Sequence, residues 1–317
     1  MTHTTTLPPG YMLRRAAESD AAAIQALLNA CESADCSEDR QVDFEIGADL
    51  LDPDIDVEQD WFPIVDQRGE PAAFGAAYCA SGAEPFTNAF VGPAHRGRGL
   101  SAAVLELAER RVRQRLADGT ADRPSLLTVC EDTKTRRIAW LGGRGYRRVR
   151  DSYAMRIDLS QGFASPSVPA GIDMREARLP DDERAAHAAD VEAYVDHFGY
   201  YPMSFAAWKS WYEAQPEFDP ALWLIAWDGS EVAGQVVGAV RGDAAYVGSV
   251  AVRKPWRGHG LALALLLEEF ARFYARGRDD VYLFVDAYNP TGAVRLYEKA
   301  GMTIWRRFGE YRLELND

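Results

Sequence analysis

The stretch Val252-Arg-Lys-Pro-Trp-Arg-Gly-His-Gly-Leu261 decides the fold. A β-branched run, Ala245-Tyr-Val-Gly-Ser-Val-Ala-Val252, leads into it, and the spacing predicts a helix from Leu261 to about Arg276, stopped by Gly277. A strand that enters a glycine turn at a helix N-terminus makes an anion site. The first-turn N–H groups have no intrahelical partner, and the helix dipole places partial positive charge there. Gly258 and Gly260 let the backbone approach a pyrophosphate with no Cβ in the way. Arg257 adds a forked cation.

The pattern occurs twice. Val91-Gly-Pro-Ala-His-Arg-Gly-Arg-Gly-Leu100 repeats it at an offset of 161, with Arg96 in the place of Arg257. The same offset aligns Leu13-Arg-Arg-Ala16 with Met174-Arg-Glu-Ala177 as first strands. Arg144-Gly-Tyr146 aligns with Ala300-Gly-Met302 at 156, so the first copy is five residues longer between the two motifs. The loop Asp118–Pro124, rich in turn residues, is where that excess is expected. Each copy reads as strand, helices, two or three strands, glycine turn, helix, strand, helix, two strands. In the second copy Trp223–Trp227 and Val232–Val240 read as strands joined by a turn at Asp228-Gly229, and Val281–Val285 as a buried strand. With 317 residues, two domains of about 150 each are expected: 1–159, a Ser/Pro/Gly linker 160–171, and 172–317.

A formal net charge of -13 argues against nucleic acid and anionic membranes as partners. The N-terminus has no basic, apolar leader, and no run is long enough to cross a bilayer, so a cytoplasmic location is expected. Cys31, Cys36, Cys79 and Cys130 form no zinc-type cluster, and all lie in the first half. No metal, no disulfide framework and no cysteine nucleophile in the second copy are expected.

Gly97-x-Gly99-x-x-Ala102 satisfies the dinucleotide fingerprint formally, but several strands precede it, and no Gly-Lys-Ser/Thr marks a nucleoside triphosphate site. Both copies instead resemble the GCN5-related N-acetyltransferase family. Its signature is a valine-rich strand, then Pro-x-x-Arg-Gly-x-Gly-Leu/Ile, then a long helix. The family's Gln or Arg three residues before the first glycine is replaced by Pro255 and Ala94. Its second motif resembles Asp286-Ala-Tyr-Asn-Pro-Thr-Gly-Ala-Val-Arg-Leu-Tyr-Glu-Lys-Ala-Gly-Met302.

The resemblance implies an α+β (mixed α/β) fold in tandem. Each copy would have a mixed, mostly antiparallel sheet with a splayed parallel strand pair and flanking helices. It implies acetyl-CoA as cosubstrate of an acyltransferase of class EC 2.3.1.-, held by Val250, Val252, Arg257, Gly258, His259, Gly260, Leu261, Ala262 and Asn289. The counterparts in the first copy are Val91, Arg96, Gly97, Arg98, Gly99 and Leu100. It puts Asn289 on the pantetheine arm and Tyr297 at the thioester sulfur, as general acid. The first copy has Thr133 and Leu141 at those positions, so it is expected to be catalytically degenerate.

Other roles stay open. Asp286 fits a general base or a turn cap, and a water chain fits the base equally. Asp196, His197 and Tyr200 lie in a segment that overhangs the acceptor site in this family. The aromatic density of Phe198, Tyr200, Tyr201, Trp208, Trp211 and Tyr212 suggests a pocket wall. The expected activity is acetyl transfer to a primary amine of a small molecule, by a monomer or homodimer. A two-copy chain of this length also resembles the mycothiol synthases, which acetylate the cysteinyl amine of a pseudodisaccharide. Their Glu-Ser-Asp-Asn pattern is Asp286-Ala-Tyr-Asn289 here. A non-catalytic acyl-CoA-binding or sensing protein is the alternative from another class.

Overall fold

The computed structural model describes residues 6–35, 55–79, 83–121, 123–197, 200, 202–213, 215, 217–241 and 243–315. Cys36, Phe198 and Tyr201, and the side chain of Trp211, lie outside the described residues. The chain divides into two compact units, one of Met1–Val149 with Gly309–Asp317, the other of Arg150–Phe308.

The first unit runs β1 (Tyr11–Leu13), α1 (Ala21–Asp35), α2 (Val57–Asp60), β2 (Ile64–Asp66), β3 (Pro71–Tyr78), β4 (Phe86–Val91), α3 (Leu100–Ala117), β5 (Ser125–Glu131) and α4 (Thr135–Gly143), then enters β6 (Arg147–Asp158). The second runs from residue 150 of β6 through β7 (Ile172–Glu176), α5 (Glu183–Tyr194), α6 (Phe205–Glu213), β8 (Phe218–Asp228), β9 (Glu231–Arg241), β10 (Ala244–Val252), α7 (Leu261–Ala275), β11 (Asp280–Asp286) and α8 (Ala293–Lys299) into β12 (Thr303–Glu314). The repeated element order, α+β in each unit, is the one the repeat predicts, with three corrections. Each copy closes on one long strand, not two. The first strand is Tyr11–Leu13, so Arg14 to Ala16 lie outside it. The five-residue excess is shared between a longer helix, 18 residues in α3 against 15 in α7, and the loop after it.

In the second unit the sheet order is β7-β8-β9-β10-β11-β6. β8 and β9 form a hairpin in which Asp228 pairs with Glu231, so Gly229-Ser230 is the two-residue loop. β10 and β11 are parallel but pair only at Ala245↔Val281 and Tyr246↔Tyr282, and then part. β4 and β5 do the same in the first unit, at Phe86↔Leu127 and Thr87↔Thr128. Leu, Phe and Val side chains of α7, β8, β9, β10 and β11 make the second core, including Leu265, Leu266, Phe270, Leu224, Val236 and Leu283. Phe284 is a correction within β11: its side chain is exposed, while Val281, Leu283 and Val285 are buried. Phe163, in the segment leading to β7, packs edge-on against Phe270 and Tyr274 of α7. Cys31, Cys79 and Cys130 are buried.

A carboxyl group lies inside this core. Glu269 of α7 is fully buried, and neither carboxylate oxygen has a hydrogen-bond partner among the described residues. Gly238 makes room for it, since a Cβ there would lie 2.1 Å from Oε1. Burial pushes its carboxyl up to about 8 from the ordinary 4.5. The folded chain thus keeps a proton that the unfolded chain releases above about pH 4.5. Its contribution to stability is full below that pH and is lost as pH rises through about 8. Glu269→Gln removes this dependence. The wild-type-minus-variant stability, from urea unfolding, is expected to fall by about 3 kcal/mol between pH 4 and pH 7. Parallel pH profiles for the two proteins would show that Glu269 titrates normally.

Candidate active site

Where β10 and β11 part, a cleft of about 780 Å³ opens in the second unit. One wall is β10, which carries a bulge: Val247 pairs with Gly238 and Ser249 with Val237, so Gly248 has no partner across the ladder. A bulge bends its strand and turns backbone groups out of the ladder, here into the cleft that Val247, Gly248, Ser249 and Val250 line. The β3–β4 pairing of the first unit runs through with no such break.

The floor is the glycine turn. Gly258 and Gly260 have φ of 81° and 84°, left-handed values that other residues rarely adopt, and no atom lies within 4 Å of a Cβ built on either. The first bond of α7 runs from Ala264 N–H to the Gly260 carbonyl. The N–H groups of Leu261, Ala262 and Leu263 thus have no partner within the helix. This is an open cradle with donors and a positive helix end, the chemistry a pyrophosphate requires. Arg257 plays a part the sequence did not reveal: Nε donates to the Val252 carbonyl (2.9 Å) and Nη2 to the Ala193 carbonyl (2.8 Å). It ties the end of β10 to the end of α5. Arg96 makes the corresponding bonds to Val91 and Cys31.

The far wall is β11 and α8. Asp286, Asn289 and Tyr297 all line the cleft. Asn289 Oδ1 accepts from Thr291 N–H (2.9 Å) and Oγ1 (2.6 Å), which leaves its amide N–H groups for other partners. Asp286 is held on both oxygens by Arg150, at 2.9 and 2.5 Å, and Oδ1 also accepts from the Tyr288 N–H. Tyr297 is buried, with its hydroxyl hydrogen-bonded to nothing among the described residues. Burial, and then the neighbouring Tyr194 and Tyr246, push its phenol well above the ordinary value.

Of the remaining sequence-designated residues, Val250, Val252, Arg257, Gly258, Gly260, Leu261, Ala262, Asp196 and His197 line the cleft; His259 and Tyr200 are not among the lining residues. Lys254 pairs with Asp196 at 2.8 Å and holds its carboxyl below the usual range. Burial, then Arg257, lowers the His197 imidazole, which packs edge-on against Tyr194. The aromatic wall is corrected. Trp208 and Tyr212 of α6 are buried against Trp223 of β8, and Tyr200 stacks on Tyr194. Sequence reasoning missed Tyr194, whose hydroxyl meets Ser249 Oγ (2.9 Å) and donates to the Val250 carbonyl (3.3 Å). A glycine within a strand was the available signal for the bulge; a tyrosine on an amphipathic helix gives none.

Residues 186–302 match the family model described as Acetyltransferase (GNAT) family. A mycothiol acetyltransferase of Thermobispora bispora is 34% identical over 73% of this chain and 77% of its own length. The chain belongs to the GCN5-related N-acetyltransferase family. A mycothiol acetyltransferase of Catenulispora acidiphila is 29% identical over 92% of this chain and 95% of its own. A GCN5-related N-acetyltransferase from Sphaerobacter thermophilus superposes with a TM-score of 0.79, at 34% identity over 98% of both chains. A tandem GNAT protein from the clavulanic acid biosynthesis pathway, at 17% identity and a TM-score of 0.71, shares the fold over 97% of this chain.

As a tandem GCN5-related acetyltransferase, the protein uses acetyl-CoA and acetylates an amine. Among the described residues no helix is long and apolar enough to cross a membrane, and no group of three or more His, Cys, Asp or Glu could hold a metal ion.

Proposed function

We propose that the second unit acetylates the amine of a cysteinyl pseudodisaccharide, the acceptor of the mycothiol acetyltransferases, by direct attack on acetyl-CoA. The observation that carries the chemistry is Tyr297. It is a protonated phenol with no partner among the described residues, in the wall of the cleft whose floor is the glycine cradle. The acceptor is supported by relatives of that name that match most of the chain.

In the reaction a C–N bond forms and the thioester C–S bond breaks. The sulfur leaves with a proton from Tyr297, or with a hydrogen bond from it. Gly258, Gly260 and the first turn of α7 hold the pyrophosphate, and Asn289 offers its amide to the pantetheine arm. Backbone groups freed by the Gly248 bulge are placed to polarise the thioester carbonyl. The amine must lose a proton. Asp286 has both oxygens committed to Arg150, so it is a poor acceptor. His197, whose lowered pKa keeps it neutral at pH 7, is the better base.

The test is product formation, followed by mass, over a panel of a cysteinyl pseudodisaccharide, a free amino sugar, a polyamine and an aminoglycoside. We expect the first to give a kcat/KM at least about 100-fold above the others, roughly 2.7 kcal/mol in transition-state binding. Its pH profile should have an acid limb below the ordinary imidazole pKa, absent in His197→Ala. Preference for another amine would overturn the acceptor. Tight acetyl-CoA binding with no transfer to any amine would make the protein a binding module.

A further inference from the structure

The two copies differ at a position on the cleft wall of the second unit. In the second unit, Val250 of β10 and Ala293 at the start of α8 lie on opposite walls of the cleft. The Val250 carbonyl is met from α5 by the Tyr194 hydroxyl. Ala293, a methyl on the other wall, leaves the gap between them open. The repeat offsets put Ala89 of β4 and Arg137 of α4 at these two positions in the first unit. There Arg137 Nη1 donates to the Ala89 carbonyl at 3.0 Å. A guanidinium therefore spans the parting between β4 and β5, at the level where the second copy is open. The glycine turn keeps its shape, with φ of 75° at Gly97 and 83° at Gly99. The phosphate cradle is thus retained, with the Arg137 guanidinium bonded to the strand that leads into it.

We propose that Arg137 is a built-in plug that shuts the pantetheine channel of the first unit, so that the chain binds one acyl-CoA, in the second unit. The closing bond is charge-assisted and partly buried, which makes it stronger than a neutral pair. A pantetheine arm would have to displace it and leave the guanidinium without that acceptor. Leu141 and Thr133, in the places of Tyr297 and Asn289, offer the arm nothing in return. The inference rests on the location of acyl-CoA in the second unit and is independent of the acceptor.

The experiment is calorimetric titration of the full-length protein with acetyl-CoA, wild type against Arg137→Ala and Arg137→Lys. We expect one site per chain in the wild type and a second, saturable site in Arg137→Ala, which places at this position the residue the open copy carries. Arg137→Lys keeps the charge and is expected to keep the channel shut. Hydrogen exchange of the wild type with and without acetyl-CoA should show protection at residues 250–264 and 285–297 only. Two sites in the wild type, protection at residues 89–103, or a single site in Arg137→Ala would each overturn the proposal. Failure of every amine in the acceptor panel would leave these site counts unchanged, so the two readings fail separately.

Discussion

Tyr297→Phe is expected to slow acetyl transfer roughly 10- to 1000-fold with little change in acetyl-CoA affinity. The reason lies in what the hydroxyl does in the fold, which is nothing: it has no hydrogen-bond partner among the described residues, so its removal deletes no native bond and the ring still fills its site. A loss of turnover would thus report on chemistry. At ordinary pKa values of about 10 and 8.5, full proton transfer from phenol to thiolate is uphill by about 2 kcal/mol. Burial raises the Tyr297 phenol further, so complete transfer is costlier still and the hydroxyl acts mainly by hydrogen-bonding the charge that develops on sulfur. The defect should shrink with an acyl donor whose thiol has a lower pKa. The check is single-turnover rates with both donors. Unchanged turnover where chemistry limits the rate would return Tyr297 to packing.

Gly260→Val should weaken acetyl-CoA binding by at least about 100-fold, near 2.7 kcal/mol. Two effects combine. The position has φ 84°, where a β-branched residue is strained, and the side chain would fill space that is empty for 4 Å around. Gly99→Val is the matched control, because φ there is 83° and the strain is similar. It should leave turnover largely intact, allowing for a comparable loss of stability. Titration with acetyl-CoA and unfolding of both variants separates the two effects. Equal loss of activity in both would mean that strain, not occupation of the cradle, is responsible.

The features legible in the sequence are those written in local spacing. The strand, glycine turn and helix around Gly258 and Gly260 follow from neighbouring residues, and the two copies confirm each other. The parallel pairs Phe86↔Leu127 and Ala245↔Val281 span 41 and 36 residues, and so differ by the same five that the motif offsets gave. The joint placement of Asp286, Asn289 and Tyr297 in one cleft follows from the second motif. What was hidden depends on partners distant in sequence. Asp286 looks like a free carboxylate until Arg150 is found against it. Trp208 and Tyr212 are aromatic in either location, and only the packing of α6 against Trp223 decides that they face a core. Arg137 reads as a surface residue of a basic stretch, because the carbonyl it meets lies 48 positions away.

The division of the chain also has a meaning for its synthesis. The first unit contains the segment from Gly309 onward: Tyr311 and Leu315 are buried in its core, Arg312 reaches Glu84, and the Leu315 N–H bonds the Pro124 carbonyl. A ribosome emits this segment after all of residues 1–308, so the half that is made first cannot finish its sheet until both copies have been synthesised. A stop codon just before Gly309 would therefore strike the oldest part of the nascent chain, and either half produced alone from a cut at the Ser/Pro/Gly linker would carry an unfilled place in its sheet.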